Sequence, residues 1–278
     1  MYKALSSGML GFGGRKLEDD IPLAVKYGYE GIIIDIAEES KKEIGQFLDL
    51  LEKNKLKNGG FVLPVDFRNS KEAFEDGLKN LPAYCEFARK AGIDRCATWL
   101  IPFSDTLDYK ENFELHRTRL TKTAMVLENY GIRFGLEFVG PPSLRKGKKF
   151  GFIHNLETLN ELLAAIGTSN MGCLMDIYHW DLAGQTYEDF KKIPEQEWIV
   201  MVHINDAQAG LSREELLDNV RELPGTTGVL KIADFMKGLQ ELKYDGPVYV
   251  EPFYPPFKTM PFEDAARMAK TAMDKVWP

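Results

Sequence analysis

Four residues of the 278-residue chain have the types and the setting to hold a metal ion and move a proton: Glu137, Asp176, His203 and Glu251. Each stands inside a short apolar run, in GLEFVGP, CLMDIYHW, VMVHIND and VYVEPF respectively. An ionised carboxylate among apolar neighbours is costly to bury unless a cation or a hydrogen-bond network compensates it. One such residue could be met by an arginine or by solvent at the end of a strand. Three carboxylates and one imidazole repeating the pattern require a shared cation. Hard oxygens with one nitrogen suit an octahedral divalent ion, Mn²⁺ first and Mg²⁺, Co²⁺, Fe²⁺ or Zn²⁺ as alternatives, better than a closed site of cysteines and histidines. Such a set leaves coordination positions open for substrate, which marks catalysis rather than a structural staple.

These residues need elements that bring them together. Short β-rich runs recur at 4–10, 31–37, 59–65, 95–102, 133–139, 171–178, 199–205 and 247–253, most of them apolar on both faces, as strands of a buried parallel sheet must be. Helix-like stretches fall between them at 16–28, 39–55, 70–92, 112–131, 155–167, 186–193, 231–246 and 262–277, the sixth the weakest and ended by Pro194. Ser70 and Asn155 are placed as N-caps, and Gly92, Gly131, Gly167 and Gly246 follow last turns where a left-handed residue is wanted. Alternating strands and helices imply parallel crossovers, and eight such units close into a (β/α)₈ TIM barrel, an α/β fold spanning 1–278 as a single domain. An open doubly wound sheet is the alternative, but no GxGxxG follows a strand, and GFGG at 11–14 lacks the spacing that a pyrophosphate needs. In a barrel, chemistry gathers at the C-terminal ends of the strands, where all four residues lie.

Composition narrows the classes. A hydrophobic share of 44% and a charged share of 28% are those of an ordinary globular protein. A net charge of −7 disfavours nucleic acid as a partner. Cys85, Cys96 and Cys173 show no CxxC spacing and read as buried free thiols. MYKALSSGML has no signal-peptide pattern and no apolar segment is long enough to span a bilayer, so the expectation is a cytoplasmic protein that does not engage a membrane.

LEFVGP with Glu137, MDIYH with Asp176 and His179, VHIND with His203 and YVEPF with Glu251 resemble the xylose-isomerase-like barrel superfamily, which includes tagatose 3-epimerase and inosose dehydratase. The likeness covers essentially the whole chain, and RELPGTTGVLKI at 221–232 resembles the Pro-Gly-x-Gly turn of that family. The resemblance implies a divalent-metal-dependent sugar isomerase or epimerase acting through a metal-held enediolate. It also implies that Glu137 and Glu251 are acid and base as well as ligands, and that His179 reaches the substrate oxygens. Two features depart from it. The arginine that such epimerases carry several residues after the metal histidine has no counterpart in VHINDAQAG, which offers Asp206 and Gln208, and the glutamate expected after Glu137 is replaced by GPPSLRKGKKF.

Further candidates line the strand ends. Arg145, in the basic loop 144–150, could clamp an anionic or polyhydroxylated substrate, and Trp99 and Trp180 could stack on a sugar. Asp66 and Arg68 could pair with each other, and PFYPPFK at 252–258 could line a subunit interface or the pocket, with a homo-oligomer in the first case. Competing functions are a dehydratase or lyase that eliminates from a keto-sugar, keto-inositol or 3-oxo-glycoside, a sugar-binding barrel without catalysis, and an AP endonuclease. The last needs a zinc cluster, for which His116, His154, His179 and His203 are few.

Overall fold

In the computed structural model, which describes residues 1–278, eight parallel strands close on themselves: β1 (Tyr2–Leu5), β2 (Gly31–Ile34), β3 (Lys57–Val62), β4 (Arg95–Trp99), β5 (Arg133–Glu137), β6 (Met171–Asp176), β7 (Ile199–Ile204) and β8 (Pro247–Val250). Each pairs with its neighbours in sequence and β1 pairs with β8, so the sheet has no edge. All eight expected strands are present, the first beginning nearer the N-terminus than its apolar run suggests.

Helices Leu17–Tyr27, Ile44–Lys53, Lys71–Lys90, Tyr109–Asn129, Leu156–Ile166, Ile232–Glu241 and Phe262–Val276 pack outside the barrel and bury their apolar stripes against it. Ser70 accepts from the Ala73 N–H at 3.1 Å and Asn155 from the Thr158 N–H at 2.9 Å, as caps should. The sixth expected helix is instead a 3₁₀ segment, Tyr187–Lys192, because Thr186 and Asp189 tighten its first turn and Pro194 cannot continue it. Gly92, Gly131 and Gly167 take the left-handed conformation, whereas Lys243 takes it near Gly246. Gly246 is small for another reason: a Cβ there would meet Arg95 Nη1 at 2.6 Å.

The barrel interior is filled from below. Tyr2, Ala4, Ala97, Leu174, Val200, Met201 and Tyr249 form a cluster apart from the main core. The Tyr249 hydroxyl crosses to donate to the Gly59 carbonyl at 2.6 Å, which a side chain at Gly59 would obstruct, since its Cβ would stand 1.9 Å from the hydroxyl oxygen. Arg95, buried near the N-terminal ends of the strands, donates to the Val200 carbonyl and to Asp245, both at 2.8 Å. Depth is therefore left at the C-terminal mouth. There Phe103–Ser104 and Phe150–Gly151 form a short antiparallel pair, not foreseen from the sequence, that joins the loops after β4 and β5.

Candidate metal centre

β5 ends at Glu137 and β6 at Asp176, His203 is the fifth residue of β7, and Glu251 directly follows β8. Register pairs Asp176 with His203, and the Glu251 N–H donates to the Ile204 carbonyl at 3.2 Å. Because these strands are adjacent in the barrel, one ligand atom from each of the four residues falls within 4.8 Å of the others.

Nδ1 of His203 is the focus. It stands 3.3 Å from Glu251 Oε2, 3.4 Å from Glu137 Oε1 and 3.7 Å from Asp176 Oδ2. Yet neither this nitrogen nor Glu137 Oε1 has a hydrogen-bond partner, although both are buried. Unpaired donor atoms converging on one buried point fit a cation that all of them can ligate. Burial raises the proton affinity of Glu137 against the pull of His203 and His179. Burial would raise Asp176 too, but Arg221, His179 and His203 outweigh it and take that carboxyl down to about 2. Burial would discharge His203, yet Glu251 and Glu137 hold its imidazole protonated up to about 10. The group draws positive charge.

Arg221 is the residue of this group not foreseen from the sequence. Fully buried, it donates through Nη1 to Asp176 Oδ2 at 2.8 Å and Glu251 Oε2 at 3.2 Å, and through Nη2 to Asp218 Oδ1 at 2.9 Å. Its guanidinium lies between the rings of Tyr178 and Phe253, at 4.6 and 4.8 Å. The three carboxylates of the group outnumber this one guanidinium, which Asp218 also shares. VHINDAQAG carries no arginine, and Arg221 reaches the group from RELPG, at the end of a longer excursion after β7. Asp206 is what closes that excursion: its carboxylate accepts from the N–H groups of Thr227, Gly228 and Leu230 at 3.0, 2.8 and 3.1 Å. The usable signal was an arginine three residues before Pro224-Gly225 rather than one close after the histidine.

The other predicted residues divide. His179 lies in the site, buried, with Nε2 3.3 Å from Arg221 Nη2 and Nδ1 3.7 Å from Asp218. Trp99, opposite Glu137 in register, is 47% exposed and faces the cavity described below. Trp180 does not: it is buried against Phe190 and Phe235 in the outer layer, because the helical turn Ile177–Leu182 carries it to the side away from His179. Arg145 also turns from the cavity, donating to the Gly140 and Pro141 carbonyls at 2.9 and 3.3 Å, and Lys148 pairs with Asp105 at 3.2 Å, so the basic loop is fastened down. Asp66 and Arg68 do not form an ion pair. Asp66 accepts from the Arg68 and Asn69 N–H groups, while the Arg68 guanidinium donates to Thr98 Oγ1 at 2.8 Å and stacks 4.1 Å from the Trp99 ring. Within 252–258, Phe253 faces the cavity and Phe257 is buried in the chain's own core, against Tyr254. The three cysteines are free and buried.

A cavity of about 1090 Å³ opens over the centre, with Glu137, His203 and Glu251 on one side of it. Phe253, two residues beyond Glu251, is held at φ 36°, a conformation that costs a non-glycine residue energy and that tends to persist at functional sites.

Comparison with known proteins agrees with this architecture. Residues 21–275 match the family model described as xylose isomerase-like TIM barrel. A solved xylose isomerase domain protein from Alicyclobacillus acidocaldarius subsp. acidocaldarius is 27% identical and superposes with a TM-score of 0.86, covering 99% of this chain and 98% of that one. The IOLI protein, solved with a bound zinc atom, superposes with a TM-score of 0.80 at 21% identity, covering 99% and 98%. The inosose isomerase of Bacillus velezensis is 23% identical over 266 residues, which are 94% of this chain and 91% of that protein. No helix is long and apolar enough to cross a membrane.

Proposed function

Because this chain belongs to the xylose isomerase-like TIM barrel family, we propose that it is a divalent-metal-dependent isomerase or epimerase that moves a proton beside the carbonyl of a keto-sugar or keto-inositol. The observation that carries this reading is the placement of Glu137 and Glu251 at 3.4 and 3.3 Å from His203 Nδ1, in the wall of an open cavity. Glu137, Asp176, His203 and Glu251 would hold the cation. When bound, such a cation polarises a carbonyl and lowers the cost of negative charge on its oxygen.

The chain's own residues supply the rest. Removing a proton from carbon needs a base that touches it and an acid that returns it. Glu137, with its proton affinity raised by burial, suits the proton-accepting role. Glu251, beside Arg221 at 3.2 Å, serves as its counterpart. If both act on one carbon from opposite faces, the outcome is epimerisation; if one carries the proton between neighbouring carbons, it is isomerisation. Arg221 keeps Asp176 ionised and holds Glu251 from behind the cavity wall, with His179 Nε2 3.3 Å from its Nη2.

The test is to load the purified protein with Mn²⁺ and incubate it in deuterated water with a panel of ketohexoses and keto-inositols. Metal-dependent deuterium at the carbon next to the carbonyl, with a new isomer in the NMR spectrum, is expected. Absence of exchange with Mn²⁺, Mg²⁺, Co²⁺, Fe²⁺ and Zn²⁺ alike would overturn the proposal. Exchange accompanied by loss of water or an aglycone would move the enzyme to the lyases.

A further inference from the structure

We infer, building on the keto-sugar reading, that the substrate is an uncharged keto-sugar bearing a second sugar ring: the first ring sits at the metal centre and the second over the half of the mouth built by β1 to β4. The cavity of about 1090 Å³ lies just above the range of roughly 300 to 1,000 Å³ that encloses drug-sized ligands. A lone ketohexose or keto-inositol has about a dozen non-hydrogen atoms and would occupy a fraction of it.

The surplus space is one-sided. Glu137, His203 and Glu251 line one flank with Leu174, Met201 and Phe253, while most of the lining comes from β2, the residues that follow β1 and β2, the ends of β3 and β4, and the first turn of helix Leu17–Tyr27. This half offers surfaces rather than ligands. Val62 and Trp99 are 45% and 47% exposed and face the cavity from β3 and β4, and Phe253, at 44%, faces it beside Glu251. Aromatic and aliphatic faces left open in a cavity complement the C–H face of a pyranose ring.

The charges at the far rim say what the second group is not. Six carboxylates, Glu18, Asp19, Asp20, Asp35, Glu38 and Glu39, line the cavity against three cations. Two of those cations are already engaged, Arg15 with Asp20 at 2.6 Å and Lys42 with Glu18 at 2.6 Å and Glu39 at 2.8 Å. Lys16 alone has no partner, and a phosphate placed there would face an acidic surplus. Hydroxyl groups, by contrast, donate to carboxylates at no cost in charge.

The experiment compares matched ligands on the Mn²⁺-loaded protein. Calorimetry measures binding of an unoxidised hexose, its 6-phosphate and a disaccharide of the same hexose, and deuterium exchange measures kcat/KM for the corresponding free and glycosylated ketones. The disaccharide is expected to bind at least about tenfold more tightly than the hexose, with no gain for the phosphate, and the glycosylated ketone to exchange with at least about tenfold higher kcat/KM. Val62→Trp, which fills the β1 to β4 side from an exposed position, is expected to erase most of both ratios. Equal or poorer binding and exchange of the two-ring ligands, while the free ketone exchanges, overturns this inference and leaves the proposed chemistry standing. Ratios untouched by Val62→Trp overturn the placement of the second ring. No exchange of either ketone with any metal overturns the chemistry, and this inference with it.

Discussion

His203 and His116 are buried to nearly the same degree, at 3% and 5% exposed, yet one is held protonated and the other neutral. His116, on helix Tyr109–Asn129, sits between the rings of Phe67 and Phe152 at 5.7 and 4.8 Å and donates through Nδ1 to the Asn112 carbonyl at 2.8 Å. Burial discharges it, and although that carbonyl opposes the effect, Arg68 and Arg119 add to it, so its proton affinity falls to about 4. His203 suffers the same loss of solvent and is protonated up to about 10, because Glu251 and Glu137 face it. Burial alone therefore does not make a site. What makes one is strand register, which on β5 to β8 converges three carboxylates on an imidazole and elsewhere surrounds an imidazole with rings.

The sharpest way to break this contrast is to remove the guanidinium from the converged half. Arg221→Met leaves the buried Asp176 and the half-buried Glu251 without their guanidinium, and loss of one partner from a buried ion pair costs about 3 to 5 kcal/mol. Urea unfolding in the presence of a chelator should show that loss, and Mn²⁺ should recover more stability in the variant than in the parent protein, since it replaces part of the missing charge. A cost under about 1 kcal/mol would mean that the carboxylates are not held as a charged group.

Next in size is the chemistry. Glu137→Gln and Glu251→Gln are each expected to lower turnover at least about 100-fold, equivalent to about 2.7 kcal/mol of barrier. His116→Gln should leave it within about twofold, as a histidine distant from the carboxylate group. Near-full activity in both glutamine variants would remove the acid and base roles.

The same contrast explains how much could be read from the chain. Eight strands, the barrel and the convergence of Glu137, Asp176, His203 and Glu251 were legible because each is local: an apolar run with one acid or histidine at its end. Arg221 was not, because its place depends on the course of a loop after β7 whose anchor, the Asp206 carboxylate bound to N–H groups twenty and more residues away, leaves no periodic trace. Trp180 shows the converse. It stands beside His179 in sequence, but a helical turn separates neighbours by about 100° and sends the indole to Phe190 and Phe235. Arg145, read as a clamp, is spent on loop carbonyls, and its neighbour Lys148 on Asp105, beside a strand pair that is too short to announce itself.

His116 provides the third test, on stability. Its folded proton affinity, near 4, lies below the unfolded value of about 6.5, so between these values the unfolded chain binds a proton that the folded chain refuses. The stability that neutral His116 contributes is whole above about pH 6.5 and is lost as pH falls toward 4. Between pH 7 and 5 the loss is about 2 kcal/mol. Urea unfolding at both pH values, with His116→Phe as reference, should show a slope steeper by that amount in the parent protein; equal slopes would mean that His116 is not held neutral.

The smallest expected effect falls on the side of the mouth that carries no ligands. Trp99 stands opposite Glu137 in register, with Arg68 stacked on its ring, so its indole is held at the cavity wall without touching the carboxylate group through any hydrogen bond. A surface that only packs against a sugar binds ground state and transition state alike. Trp99→Ala should therefore raise KM about fivefold, the worth of about 1 kcal/mol of stacking, and leave kcat within about twofold. Initial rates over a range of keto-sugar concentrations separate the two constants. A fall in kcat with KM unchanged would place Trp99 among the groups that act in the transition state, and the division of the mouth into a reacting half and a binding half would fail there.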